Sequence, residues 1–121
     1  MRIVYVVHGL PAKQLAGTEI VVDNLSRRLS NMKKNLNLFP RHDVNIFYRN
    51  ITDKHPYRIT RKKRGKVKLI GINTPWHHYH GFEQEYLNPK VDSIFSKVLD
   101  DIRPDIVHIH HLIGLSSGII N

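Results

Sequence analysis

The chain contains no cysteine. That excludes disulfide frameworks, thiolate zinc sites and cysteine nucleophiles together, and with no sign of an oxidising compartment a cytoplasmic location is expected. Long apolar runs are missing too. The first run, Ile3 to Val7, is preceded only by the basic Arg2 and stops at His8, too short for the core of a secretory signal. Nothing approaches the roughly 20 apolar residues that a membrane-spanning helix needs, so any membrane contact is expected to be peripheral, at an anionic surface. There is no internal repeat, and 121 residues with 40% apolar and 24% charged composition describe one folded domain. Acidic residues are scarce, 10 against 19 lysines and arginines, and the net charge of +9 points to an anionic partner. Charge alone does not choose among phosphate, nucleic acid and an anionic membrane.

The order of elements is legible. Ile3 to Val7 is rich in β-branched residues and reads as a strand buried on both faces. After a loop from Pro11 to Gly17, the spacing of Val21, Leu25, Leu29 and Met32 predicts a helix over Thr18 to Met32 that buries those four side chains, with Thr18 as cap and Glu19 at the positive end of the dipole. Val44, Ile46 and Phe47 make a second strand, completing a unit of βαβ size. From Lys54 to Lys68 the chain is loaded with lysine and arginine and reads as a solvated loop or an exposed hairpin. Val67 to Ile72 is a third strand, and Trp76 to Leu87 reads as a loop and short turn. Asn88 as cap and Pro89 as first residue announce a helix carried by Val91, Ile94, Phe95, Val98, Leu99 and Ile102 and ended before Pro104. Asp105 to His111 is a fourth strand, running into a loop at Gly114 and Ser116 to Gly118. The fold class is α/β.

In a parallel sheet, ligands bind beyond the carboxyl ends of the strands, where loops meet the starts of helices. Two segments fall there, His8 to Glu19 and His108 to Ser117. Gly17 has two readings, a turn that starts a helix or an opening for an anion against free backbone amides. His108 and His110 lie two apart on a strand and share a face, with His111 near the strand end. Nine histidines raise a metal site built from His77, His78, His80, His108, His110 and His111, but neither cluster has helical i, i+4 spacing and no metal is assigned. Arg61, Lys62, Lys63 and Arg64 form the most nucleic-acid-like feature, yet only Tyr57 is near enough to stack, so nucleic acid is the lesser expectation there.

Three ordered segments resemble the amino-terminal domain of a family 4 glycosyltransferase of the GT-B architecture. MRIVYVVHGLP followed by AGTEIVVDNLSRRL is similar to that family's first strand, Gly-Gly-x-Glu turn and first helix. HDVNIFYRN resembles its second strand, and RPDIVHIHHLIGL its Pro-Asp-(Val/Ile)-Val-His-x-His segment. The stretch from Ile51 to Leu87 matches only as a strand within variable loops. The resemblance implies a partial Rossmann-like parallel sheet of order 3-2-1-4 with flanking helices, and retaining transfer of a sugar from a nucleotide sugar to an acceptor. It implies no tightly bound cofactor and no essential metal, with the nucleotide sugar as donor.

By the same resemblance, Ala16, Gly17 and Thr18 face the donor diphosphate or the acceptor, Ala16 standing where many members have the first glycine. His110 is the second histidine of the pair and lies near the transferred sugar, where it would position the sugar rather than attack it. His8 and His111, with Arg61 to Arg64, are expected to bind acceptor or anion. The family's second domain, with its Glu, seven residues, Glu motif, is absent from residues 1–121, so the chain is expected to be an incomplete acceptor-side domain, inactive alone, and its last strand an open edge that favours a homodimer. The alternative reading is a non-enzymatic anion or nucleic-acid binding module using residues 58–68.

Overall fold

The computed structural model describes residues 1–10, 17–32, 42–75, 87–112 and 115–120. In chain order these form β1 (Arg2–Val7), α1 (Gly17–Asn31), β2 (Asp43–Ile51), β3 (Ile59–Arg64), β4 (Val67–Thr74), α2 (Pro89–Ile102), β5 (Ile106–Ile109) and a 3-10 turn at Ser117–Ile120. One five-stranded sheet runs β3-β4-β2-β1-β5. β1 pairs in parallel with β2 and β5, and β2 with β4, while β3 is antiparallel to β4.

The sheet is therefore mixed, where a wholly parallel one was expected. Gly65, at φ 61°, and Lys66 turn the chain back within two residues, and a turn that tight joins antiparallel neighbours. Of the two readings of the basic segment, the hairpin is the one formed.

Alternation along the strands divides the core. Ile3, Tyr5, Val44, Ile46, Tyr48, Val67 and Leu69 face one way and pack with Val22 of α1. Val4, Val6, Phe47, Ile70 and Ile72 face the other way and pack with Val91, Phe95 and Val98 of α2. The sheet thus lies between two helices. α2 starts as its sequence predicts: Asn88 accepts a bond from the Val91 amide at 3.3 Å, Pro89 leads the first turn, and Arg103 in the left-handed region ends it.

α1 departs from expectation. Val21 and Met32 are each 48% exposed and Leu25 is also exposed, while Val22, Ser26 and Ser30 are buried and only Leu29 of the expected stripe packs partly on the core. The large side chains on this face come from the sheet, Tyr5 and Tyr48 among them, so the helix presents a small-residue edge at i, i+4 spacing. Thr18 is the second helical residue, not the cap. β2 runs to Ile51, beyond the predicted Phe47, and β5 is shorter than predicted, ending at Ile109 with Ile106 and Val107 exposed on an edge. Ser117 and Gly118, expected in a loop, lie in the 3-10 turn. The loop assigned to residues 76–86, and Gly114, lie outside the described residues.

Candidate functional site

Parallel pairing of β1 with β2 and β5 brings their carboxyl ends side by side. β1 hands the chain to His8, and the His110 amide donates to the Val6 carbonyl at 2.9 Å, carrying the β5 pairing one residue past the strand. The His8 and His111 rings then meet at 4.4 Å between centroids. His108 and His110 do share a face, 4.2 Å apart, each 5.6 Å from the Tyr5 ring.

The first turn of α1 closes this end. Nε2 of His8 stands 2.9 Å from Oε1 of Glu19, whose side chain is fully buried. The contact is an ion-pair distance without hydrogen-bond alignment: both Glu19 oxygens, Nδ1 of His8 and Nε2 of His110 are buried with no hydrogen-bond partner among the described residues. Buried polar atoms are overwhelmingly satisfied in folded proteins, so the unsatisfied ones of His8 and Glu19, and that of His110 at the same end of the sheet, suit a hydroxyl-bearing ligand that gives and accepts bonds. Gly17 begins the helix with open space where a Cβ would stand. Ala16 lies outside the described residues.

Burial pushes the His8 imidazole below the usual histidine value; Glu19 opposes this, and His111 and Arg49 add to it. His110 is lowered by burial and then by His108. Neutral imidazoles result, each a donor at one nitrogen and an acceptor at the other. The unfolded chain takes up these protons at about pH 6.5, before the folded one does. Stability from these groups is complete above that pH and is lost as pH falls through the lower folded values. Melting temperature followed by circular dichroism is expected to drop between about pH 7 and pH 5, and to drop less in a His8→Gln, His110→Gln double variant. An unchanged slope in the double variant would assign the acid sensitivity elsewhere.

No family model, curated protein or solved structure matches the chain.

Two residues belong here that sequence reasoning passed over. Glu19 was assigned to the helix dipole, yet it reaches His8. Arg49, buried near the end of β2, donates from Nε to the Thr74 hydroxyl and from a terminal nitrogen to the Pro75 carbonyl at 3.1 Å, tying β2 to the end of β4. An arginine directly after the apolar and aromatic Ile46, Phe47 and Tyr48 of β2 was the available signal.

The structure thus gathers His8, Gly17, Thr18, His110 and His111 at one end of the sheet. It does not bring Arg61, Lys62, Lys63 and Arg64 to them. Those four lie opposite Ile70, Leu69, Lys68 and Val67, along the amino-terminal half of β4. His77, His78 and His80 lie outside the described residues, and among the described residues no three ligating side chains converge on a metal position. Among the described residues no helix is long and apolar enough to cross a membrane.

Proposed function

We propose that this chain is the acceptor-side, Rossmann-like part of a retaining glycosyltransferase of the GT-B architecture, moving a sugar from a nucleotide sugar to an acceptor. One observation carries the reading. At the end where the parallel strands finish and α1 begins, Nε2 of His8 stands 2.9 Å from the fully buried Glu19 carboxylate, and Nδ1 of His8 and Nε2 of His110 are buried without a hydrogen-bond partner among the described residues. The order β4-β2-β1-β5 within the parallel part supports a Rossmann-like description, and ligands of such sheets sit at this end.

The roles follow from the groups. The start of α1 at Gly17 and Thr18 is the positive end of the helix, where negative charge is favoured, and would stabilise a departing diphosphate. His110 would position the sugar through its unpaired Nε2. His8, neutral and backed by Glu19, would hold an acceptor hydroxyl and receive its proton.

Titration of the isotope-labelled chain with UDP-glucose tests the site. Amide shifts at Gly17 and His110 are expected, and Gly17→Leu should weaken binding about tenfold or more while changing stability by less than about 0.5 kcal/mol, because the new side chain points into open space. Shifts confined to residues 58–68, produced by an oligonucleotide and not by the nucleotide sugar, would transfer the function to the basic hairpin.

A further inference from the structure

The two edges of the sheet differ. β5 exposes Ile106 and Val107, whereas β3 carries Arg61, Lys62, Lys63 and Arg64 in succession. We propose that the outer edge of β3, which pairs with no further strand among the described residues, is a docking site for an extended acidic segment of another protein, added to the sheet as a further strand.

The ladder sets which groups are on offer. The Asn73 amide donates to the Arg58 carbonyl at 3.0 Å, and the two residues are directly opposite in the β3–β4 register. Hydrogen-bonded pairs alternate along an antiparallel ladder, so Thr60, Lys62 and Arg64 direct their backbone groups to β4. The amides and carbonyls of Ile59, Arg61 and Lys63 then point away from the sheet, at the spacing an incoming strand requires.

Charge selects the strand. Arg61 and Lys63, opposite Ile70 and Lys68, project on the α2 face, and Lys62 and Arg64 project on the α1 face. Alternate side chains of a paired strand also fall on the two faces, so acidic residues along it would meet cations on both. Arg64 is already engaged by Asp23 and Arg61 by Asp101 at 3.3 Å. Lys62 and Lys63 are exposed, so one exposed cation stands on each face for the incoming segment.

A second copy of this edge would set like charges opposite one another, which disfavours self-pairing. A flat membrane would engage one face and leave the other's cations unused. A single-stranded nucleic acid needs stacking surfaces, and Tyr57, the nearby ring among the described residues, already lies under Lys90 at 5.1 Å.

The test uses a dye-labelled decapeptide in which pairs of glutamates alternate with pairs of valines, so that both faces of the added strand carry acid, with the corresponding lysine–valine peptide as control, on the full chain. Fluorescence anisotropy should show binding of the acidic peptide only, weakening about tenfold as ionic strength rises from about 0.05 M to about 0.5 M. Lys63→Gln removes a charge and should cost about threefold, whereas Lys63→Pro also removes an outward amide and should cost more than about tenfold. Should the proline variant fail to fold, hydrogen exchange on the unaltered chain decides: peptide must slow exchange at Ile59, Arg61 and Lys63. Equal losses in the two variants, unchanged exchange at those amides, or binding of phosphatidylglycerol vesicles or an oligonucleotide in place of the peptide would each overturn the proposal.

Discussion

Replacing Phe95 by alanine is expected to destabilise the fold by about 3–5 kcal/mol, a large part of the roughly 5–15 kcal/mol that holds a domain together. Phe95 is the central anchor of α2. Its ring lies 4.8 Å from that of Phe47 at 58°, and Phe47 is fully buried on β2, the middle strand of the sheet. Truncation removes the transfer energy of the side chain, leaves a cavity against a rigid strand, and forfeits an aromatic pair worth about 0.5–1.5 kcal/mol. Val91 and Val98 on the same face are too short to fill that space. Urea denaturation is the direct measurement. Ile94→Ala, at a partly buried position on the same helix, should cost clearly less, and a Phe95→Ala midpoint equal to that of the unaltered chain would mean that α2 is held by something other than this contact.

The second large effect is expected at Gly71. A Cβ built there would stand 2.7 Å from both Cζ and the hydroxyl of Tyr48, whose buried ring lies across the glycine from the paired strand. Glycine inside a strand ordinarily weakens it, by about 0.5–1 kcal/mol relative to alanine, and the ring explains why one is kept here. Gly71→Ala should destabilise by about 1–3 kcal/mol, since the ring is confined between the sheet and α1 and has to move. In a Tyr48→Leu background the same substitution should cost much less, a non-additivity that isolates the contact. Equal costs in both backgrounds would refute the steric account. The consequence reaches the site. Tyr48 opposite Gly71 sets the register that brings Arg49 to the end of β4, beside Thr74 and Pro75, from where its charge lowers the His8 imidazole.

The elements that were legible are those in which one local rule acts alone. Ile3 to Val7 is a strand because a β-branched run too short for a helix is closed by His8, Gly9 and Pro11. α2 is bounded by Asn88 with Pro89 and by Pro104, and its apolar residues keep one helical face, so capping, propensity and pattern agree. The shared face of His108 and His110 follows from the period of two in a strand.

The legibility failed where two partners compete for one face. On α1, Val21, Leu25 and Met32 form the more apolar stripe, yet the tyrosines of β1 and β2 occupy the space beneath the helix, and Val22, Ser26 and Ser30 fit against them. The direction of β3 had no side-chain pattern to announce it, because a solvated basic loop and a basic edge strand have the same composition.

Composition and spacing by themselves determined that this is an α/β domain without cysteine, that four strands and two helices follow in a given order, and that histidines stand at strand ends. Only the tertiary structure decided that Glu19 reaches His8, that Arg49 comes to the same end, and that Arg61 to Arg64 belong to the opposite half of the sheet. The reason is distance along the chain. Register and crossover bring together residues dozens of positions apart, and no local propensity records which strand a given residue will face.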